Sequence, residues 1–431
     1  MFPVTEGKRP HSEKALRIVI FGLSITSTWG NGHANTFRAF ARALHRRGHQ
    51  VVFFEKDVEW YASNRDLPEP GFCEVKLYTR WAEALPLVRR ELRSADVAMV
   101  GSYFPDGIEA IAEMLDADTV RTFYDIDTPI TVAALRGDPG KPAVGLAGAG
   151  ERGGCDYLRA DQLPGLDVYF SFTGGPMLDE LQGRFGVRRA VPLYCSFDPE
   201  CYRILPRSQR FACAMSYMGT YAPDRQPKLQ ELLFDAAREL PELPFIVAGP
   251  QYPRNVRWPR NVRHVVHLNP RWHPHLYSSS RLTLNVTRRE MVMAGYSPSV
   301  RLFEAAACGA AITSDNWPGL DTFFVPGREI LLPASGAEVV RYLREIDEDQ
   351  LRAIGLAAQA RVLSAHTSQL RAEEFEREVE AARLPQQAND GLAGDPQRGS
   401  HLESSGASSR MSSSRVSSWV DSKAVDSKAV S

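Results

Sequence analysis

The stretch RLTLNVTRREMVMAGYSPSVRLFEAAACGAAIT, residues 281–313, decides the fold. It opens with the strand-like run RLTLNVT, passes through a polar loop, and enters a short apolar helix that ends at Gly309 before the strand-like AAIT. We expect Ser297 to cap this helix and Pro298 to lie in its first turn, which gives a helix over residues 298–309. A strand, a helix and a strand in succession predict parallel strands covered by helices.

The same alternation runs through most of the chain in two series. The first series contains the expected strands LRIVIFG (16–22), VVFFE (51–55), DVAMVGS (96–102), TVRTFYD (119–125), DVYFSFTGG (167–175) and RRAVPLYCS (188–196). The second begins near residue 211 with ACAMSYMG, PFIVAGP and VRHVVHL, and it ends in the 281–313 unit. We therefore predict an α/β protein with two Rossmann-like, doubly wound parallel-sheet domains that face each other across a cleft.

The domain boundaries follow from this alternation and from a change in composition near the end. We assign residues 1–15 to a polar leader, 16–200 to the first domain, 201–384 to the second domain and 385–431 to a tail. The tail is rich in Gly, Ser, Gln and Asp and ends in the near-repeat VDSKAVDSKAV. Because it has little apolar surface to bury, we expect it to be disordered.

Bulk composition narrows the classes of partner. A net charge of −1 over 431 residues provides no overall field that would recruit nucleic acid. No apolar stretch approaches the roughly 18 residues that span a bilayer, and the polar N-terminus lacks the apolar core of a signal peptide. The six cysteines contain no C-x-x-C pair. We expect a cytoplasmic protein without a membrane span or a nucleic-acid partner.

A charged pair near the start of the 298–309 helix suggests a binding site. The free N–H groups at a helix N-terminus favour an anion such as a phosphate, and Arg301 would neutralise it. Glu304 would accept hydrogen bonds from two sugar hydroxyls. The alternative is an internal salt bridge between Arg301 and Glu304 on a surface helix, and the residues alone leave both interpretations open.

A second basic signal lies in MGTYAPDRQPK, residues 218–228. A strand ends at Gly219, and the following loop carries Arg225 and Lys228 into a helix, an arrangement that suits a diphosphate or, alternatively, a solvated turn. Neither this segment nor the loop and helix around Arg301 contains G-x-G-x-x-G, and Gly30 and Gly32 of the first unit do not supply it either, which disfavours a nicotinamide or flavin enzyme. We therefore expect no cofactor.

Candidate catalytic groups lie in the first domain. His33 opens the first helix, and Asp125 and Asp127 stand at the end of a strand in YDIDTP. Either acid would suit a general base that deprotonates an acceptor hydroxyl, although both also suit loop capping. His33 would touch the acceptor or a phosphate, and a catalytic role for it is a further candidate. Asp125 and Asp127 spell a D-x-D, a motif that holds Mn²⁺ in a different fold, but two Rossmann-like domains contradict that fold and we expect no metal. Thr173-Gly174-Gly175 either presents N–H groups to the cleft or forms a tight turn.

Several of these segments together resemble a known family. The run RLFEAAACGAAITSDNWPGLDTFFVPGREILL resembles the C-terminal signature of GT-B glycosyltransferases. GNGHANTFRAFARAL, YDIDTPIT, SFTGGP, PLYCSFDPECY, GTYAPDRQP and FIVAGPQYP are similar to the CgeB-type spore-maturation glycosyltransferases, in order and over roughly residues 16–384. The resemblance implies a GT-B fold whose second domain holds a nucleotide sugar.

The resemblance also implies roles for individual residues. Glu304 would take the ribose hydroxyls of the nucleotide. The implied donor-binding set is Glu304, Arg301, Ser297, Ser299, Val300, Tyr296, Gly219, Arg225 and Lys228, with the diphosphate held by the basic residues and by the backbone of 297–300. The first domain would bind the acceptor, with Asp127, His33 and Asp125 as the catalytic candidates.

One position departs from the pattern. Common retaining GT-B enzymes carry a second glutamate eight residues before Glu304, and this chain has Tyr296 there. The stereochemistry and the donor sugar therefore stay open. We predict a metal-independent hexosyltransferase that moves a sugar from a nucleotide-diphosphate sugar to a glycan, protein or small-molecule hydroxyl. The alternatives are a nucleotide-sugar 2-epimerase and a non-catalytic sugar-nucleotide-binding or spore-coat-like protein.

Overall fold

The computed structural model describes residues 15–137 and 155–384. The expected disordered tail lies outside the described residues, and so does the polar leader except for Ala15. Among the helices of the described part, none is both long enough and apolar enough to cross a membrane.

Two parallel sheets organise the chain. The strands of the first sheet are β1 Arg17–Phe21, β2 Gln50–Lys56, β3 Glu74–Tyr78, β4 Val97–Gly101, β5 Val120–Asp125, β6 Val168–Ser171 and β7 Ala190–Pro192. They lie in the order β3-β2-β1-β4-β5-β6-β7, and every neighbouring pair is parallel. We call the part of the chain built around this sheet the first lobe.

The helices of the first lobe cover both faces of its sheet. They are α1 Gly32–Arg46, α2 Glu59–Ala62, α3 Trp81–Arg93, α4 Gly107–Leu115, α5 Thr128–Arg136 and α6 Pro176–Gly183. The central strands β1 and β4 are fully buried or nearly so, as apolar runs such as VAMVG require in a sheet covered on both faces.

The second sheet is smaller and repeats the same winding. Its strands are β8 Cys213–Met218, β9 Phe245–Ala248, β10 Val262–Val265, β11 Ser280–Asn285 and β12 Ala311–Ser314, in the order β10-β9-β8-β11-β12. All of its pairs are parallel. We call the part around this sheet the second lobe. The predicted α/β class with two doubly wound sheets is confirmed.

The helices that follow β8 complete the second lobe, apart from the last. α7 Gln226–Leu229 continues through a π-helical turn into α8 Asp235–Glu239, followed by α9 His273–Ser279, α10 Arg289–Ala294, α11 Val300–Ala307, α12 Gly336–Glu345, α13 Glu348–Ala365 and α14 Ser368–Arg383.

The start of α11 differs from the expectation. The helix begins at Val300 rather than at Pro298, and Ser299 precedes it without capping it through its side chain. Ser297 was expected to be the cap, but its hydroxyl lies 2.8 Å from the hydroxyl of Thr173 in the first lobe. A tertiary contact thus takes the side chain that local pattern assigns to the helix end.

The edge strand β3 was not expected from the sequence. Its side chains are exposed or half-buried along the whole of EVKLY, because it pairs only with β2. An edge strand of this kind carries charged residues and lacks the apolar run that marks the buried strands.

The final helix returns to the first lobe. Although the sequence assigns residues 201–384 to the second domain, the ring of Phe375 in α14 packs on Phe40 and Phe170, with centroids 5.3 and 5.4 Å away. Just before α14, Thr367 pairs with Phe197, on the segment that leads from β7 to β8. The two passages of the chain between the lobes therefore lie side by side.

Candidate functional site

A cavity of about 520 Å³ lies where the carboxyl ends of the two sheets meet. Its walls come from the loops after β1 and β5 in the first lobe, and from those after β8, β9, β10 and β11 in the second. Carboxyl ends of parallel strands at the point where strand order reverses are the usual place for ligands in doubly wound sheets. The cavity is thus where the sequence predicted a cleft.

The first turn of α11 forms one wall of the cavity. Ser297, Ser299, Val300 and Arg301 all line it. Arg301 Nε donates to the carbonyl of Met218, and its guanidinium carbon lies 5.1 Å from the centre of the Tyr217 ring.

Asn285, at the end of β11, organises this wall and was missed by the sequence analysis. Its Oδ1 accepts from Arg301 Nη1 and from Ser299 Oγ, each at 2.8 Å. Its Nδ2 donates to Ser314 Oγ at 2.9 Å. The amide therefore orients Arg301, and the hydrogen bonds of that guanidinium go to Asn285 and Met218 rather than to Glu304. The only available signal was an amide side chain directly at the end of a buried strand.

Glu304 lies one turn further along α11 and reaches the same cavity. It is only 4% exposed. Burial raises the pKa of its carboxyl to about 7, against smaller lowering effects of Tyr202 and Arg301. A buried carboxyl without a cationic partner in direct contact is expected to bind a ligand that donates hydrogen bonds to it.

Aromatic and imidazole side chains surround the carboxyl of Glu304 inside the second lobe. Tyr202 lies with its hydroxyl 3.1 Å from Nδ1 of His273, whose Nε2 lies 3.0 Å from the carbonyl of Leu268. Burial lowers the pKa of His273 to about 4, so the ring is neutral, with Nε2–H donating to the carbonyl. Tyr277 also lines the cavity, and its buried hydroxyl has no partner among the described residues.

The three residues of the 218–228 segment separate into two groups. Gly219 and Arg225 line the cavity. A Cβ at Gly219 would lie 2.8 Å from Arg301 Nη2, so a larger residue here would displace the end of that side chain. Lys228 is not among the lining residues; its side chain is 48% exposed and pairs with Glu231 at 2.9 Å. The first turn of α7 directs Lys228 outward, so the structure does not bring it to the cavity, and its donor-binding role stays a prediction that this placement does not favour.

On the opposite wall, His33 and Asp127 come together. His33 Nε2 lies 3.6 Å from Asp127 Oδ2, and both residues line the cavity. Asn31 accepts a hydrogen bond from the His33 N–H at 2.9 Å and so caps α1. His33 Nδ1 is buried and has no partner among the described residues.

Two residues that the sequence analysis missed complete this cluster. Arg288, from the second lobe, has Nη1 3.7 Å from Asp127 Oδ1, and the ring of Tyr103 lies 5.3 Å from that of His33. Burial alone would raise the pKa of Asp127, but His33, Arg288 and Tyr103 together lower it, so the carboxylate is ionised. Neither residue belongs to a local motif, since both reach the cluster only through the fold.

Asp125 does not belong to the cavity wall. It is fully buried and accepts hydrogen bonds from Thr131 Oγ1 at 2.9 Å and from Tyr169, whose hydroxyl lies 2.5 Å away. Burial raises the pKa of Asp125 to about 6. It therefore anchors α5 beneath the site; this placement favours a structural role, and the catalytic role stays a prediction.

The loop between β1 and α1 is held from inside the first lobe. Glu55 is fully buried and accepts hydrogen bonds from the backbone N–H groups of Ile25 and Thr26, at 2.6 and 3.0 Å. These bonds fix the irregular loop that leads into α1, and so they set the position of His33.

Tyr296 is absent from the cavity wall among the described residues. Its ring lies between Gly175 of the first lobe and Gly319 of the second. The structure therefore places Tyr296 between the lobes rather than on the cavity wall, and its donor contact stays a prediction. Within residues 15–137 and 155–384, no group of three or more His, Cys, Asp or Glu side chains is placed to hold a metal ion.

Comparisons with known proteins agree with this architecture. Residues 225–377, about a third of the chain, match the family model described as glycosyl transferase-like. No curated protein matches this sequence.

Three similar solved structures each cover 85% of this chain and are covered completely by it. They are sucrose-phosphate synthase from Thermosynechococcus elongatus (12% identity, TM-score 0.58), Anabaena Alr3699/HepE in complex with UDP-glucose (13%, 0.59) and an alpha-glucosyltransferase in complex with UDP (12%, 0.63). Another structure of an alpha-glucosyltransferase contains UDP-glucose and DNA with an abasic site. At these identities the likeness establishes the fold.

The family match rests on sequence and the structural likeness on the fold, and both concern the predicted glycosyltransferase. The model covers the part of the chain that carries α11 and Glu304, and the solved structures cover both lobes. Residues 225–377 therefore form a glycosyl transferase-like domain in a chain of GT-B fold, which confirms the predicted fold and the predicted class of enzyme.

Proposed function

We propose that the protein moves a sugar from a nucleotide-diphosphate sugar to a hydroxyl group of an acceptor. The observation that carries this proposal is the pairing of two different walls across one cavity. One wall offers Arg301, a helix N-terminus and the buried Glu304, and the other offers His33 beside Asp127.

The second lobe would bind the donor. Glu304, once ionised, accepts hydrogen bonds from the two ribose hydroxyls. The first-turn N–H groups of α11 and the guanidinium groups of Arg301 and Arg225 hold the diphosphate. Because these charges are fixed before the reaction, they stabilise the negative charge that grows on the diphosphate as it leaves.

The first lobe would bind the acceptor. His33 and Asp127 both line the cavity, with His33 Nε2 3.6 Å from Asp127 Oδ2. The pair thus suits removal of a proton from an acceptor hydroxyl as the new glycosidic bond forms. Arg288 reaches the same carboxylate from the second lobe, so the cluster of three residues is complete only when the lobes are together.

Finer features of the proposal rest on the sequence and on the side chains present. We propose membership of the CgeB-type family, on the motifs quoted above, and a hexose as the transferred sugar, since two of the similar proteins were solved with UDP-glucose. Arg301 and Arg225 supply the positive charge that a metal would otherwise provide, and no cofactor is needed. The six cysteines are unpaired, which suits a cytoplasmic setting, and the near-zero net charge argues against nucleic acid as acceptor.

The test is turnover of a panel of UDP-, GDP-, ADP- and TDP-linked hexoses by the purified protein, with and without acceptor extracts. We expect release of the free nucleoside diphosphate from one class of donor, and loss of that release in Glu304→Ala. Glu231→Ala is the matched control, because the side chain of Glu231 is partly exposed and forms its ion pair with Lys228, outside the cavity wall.

The other outcomes separate the alternatives. An altered sugar on an intact diphosphate would identify an epimerase. Binding of a nucleotide without turnover in any acceptor extract would identify a binding protein. Release that persists in Glu304→Ala would contradict the proposed donor site.

A further inference from the structure

The residue that replaces the expected second glutamate has a strained backbone. Three non-glycine residues of the described chain have positive φ, namely Tyr103 (63°), Gln251 (67°) and Tyr296 (47°). Tyr103 and Gln251 lie beside the cavity, in the His33 cluster and in the cavity lining respectively. A bulky residue in this region costs energy and persists only where its surroundings hold it there.

The ring of Tyr296 fills a slot made by two glycines. A Cβ on Gly175 would lie 2.5 Å from Cδ2 of the ring, and a Cβ on Gly319 would lie 2.4 Å from Cδ1. Both glycines have positive φ, 62° and 84°. Since Gly175 belongs to the first lobe and Gly319 to the second, the ring is packed between the lobes.

The backbone beside the ring is tied to both lobes as well. The Gly174 N–H donates to the carbonyl of Tyr296 at 2.9 Å, and the Tyr296 N–H donates to the carbonyl of Pro318 at 2.7 Å. In the next residue, the hydroxyl of Ser297 lies 2.8 Å from that of Thr173. The Thr173-Gly174-Gly175 turn therefore does more than connect β6 to α6. It binds the loop that leads to α11, through the contacts with Tyr296 and Ser297.

We propose that Tyr296 is a positioning residue that docks the loop before α11 onto the first lobe. This inference rests on the proposed function. The docked loop continues directly into Ser297, Ser299 and Val300, which line the donor wall, and its other partner is the lobe that carries His33. Docking through Tyr296 sets the distance between the bound sugar and the acceptor base.

The physical consequence is a separation of two effects. Donor affinity comes from contacts within the second lobe, such as Glu304 and Arg301, and survives when the docking is loosened. Transfer needs the reacting atoms within a fraction of an ångström of the correct geometry, and a displacement of about 1 Å costs on the order of a hundredfold in rate.

The test compares Tyr296→Phe, Tyr296→Ala and Tyr296→Gly in the full-length protein. Tyr296→Phe retains the ring and should behave as the wild type, because the docking contacts seen among residues 15–137 and 155–384 come from the ring and the backbone. Tyr296→Gly removes the ring but also the strain, so it separates packing from backbone conformation. For the two small variants we expect transfer to fall about 10- to 100-fold while the Kd of the nucleoside diphosphate that the wild type binds stays within about threefold.

A second measurement does not depend on activity. Hydrogen exchange at the Gly174 N–H should be about tenfold faster in Tyr296→Ala than in the wild type, because its acceptor is released, while exchange in β1 and β8 stays unchanged. If no donor is turned over by the wild type, the proposed function fails and this measurement still decides the docking role. Unchanged exchange at Gly174 together with unchanged transfer in Tyr296→Ala would overturn the inference.

Discussion

The two lobes share one winding and differ in what their strand ends present. Strands β1 to β5 of the first lobe and β8 to β12 of the second follow the same order, with the first strand of each set at the centre. At the carboxyl ends, the second lobe presents cations, a helix N-terminus and a buried acid, whereas the first lobe presents His33 beside an ionised Asp127. Chemistry thus follows the loops rather than the sheet, and each lobe can be tested separately.

The largest effect is expected from the first lobe. His33→Ala should lower kcat for transfer by about 10²- to 10⁴-fold, the usual contribution of a positioned general base, and should leave nucleotide affinity unchanged. Steady-state kinetics and nucleotide titration measure the two quantities. His45→Ala, in the last turn of the same helix, is the matched control. A parallel loss of nucleotide affinity would contradict the division of labour between the lobes.

Removing the central cation of the second lobe should weaken both binding and chemistry. Arg301→Ala is expected to lower kcat/KM about 10²-fold, since it removes a fixed positive charge at the leaving diphosphate. Asn285→Ala should reproduce part of this loss, because Asn285 orients the guanidinium of Arg301 but carries no charge itself. If Asn285→Ala is neutral while Arg301→Ala is not, the orienting role of the amide is disproved.

Nucleotide affinity should depend on pH through Glu304. Its pKa in the empty site is about 7, above the ordinary 4.5, because burial disfavours the charge. Ribose hydroxyls require the carboxylate, so below pH 7 binding must first release a proton and affinity should fall about tenfold per pH unit, while above pH 8 it should level off. Glu304→Gln is the control, because its side chain does not titrate and any remaining pH dependence of affinity comes from other groups, such as the nucleotide phosphates. If nucleotide affinity changes equally with pH in the wild type and in Glu304→Gln, Glu304 does not bind the nucleotide.

The smallest effects concern the loop after β8. Arg225→Ala should weaken nucleotide binding about three- to tenfold, because its guanidinium lies in the cavity wall and Nε has no partner among the described residues. Lys228→Ala should change it less than about twofold, since that side chain pairs with Glu231 at the surface. Titration of the nucleoside diphosphate with each variant compares them directly. Similar losses in both variants would show that Lys228 reaches the donor.

Much of the fold was predictable because buried parallel strands leave a strong local pattern. Apolar runs such as VAMVG identify strands in any context, whereas the edge strand EVKLY has no such pattern and was missed. The return of α14 to the first lobe was also missed, because its amphipathic surface does not specify which sheet it covers.

The site was predictable where one segment carries it. Arg301 and Glu304 share a helix, and both reach the cavity as expected. Asp125 and Asp127 stand two residues apart, yet one is buried and one faces the cavity, because β5 ends between them. Arg288, Tyr103 and Asn285 act through partners distant in sequence, and no local pattern announces such contacts.

The paired passages at Phe197 and Thr367 restrict how the lobes can move. Ser368 donates its backbone N–H to the Phe197 carbonyl at 2.9 Å, and Arg371 donates to the Tyr194 carbonyl at 3.0 Å, so the two connecting segments are bonded to each other. We expect two adjacent connecting segments to act as a hinge. They allow one lobe to rotate about a line through both segments, but they resist sliding of one lobe along the other. We therefore expect any opening or closing of the cavity to change the width of its entrance and to preserve which residues meet across it.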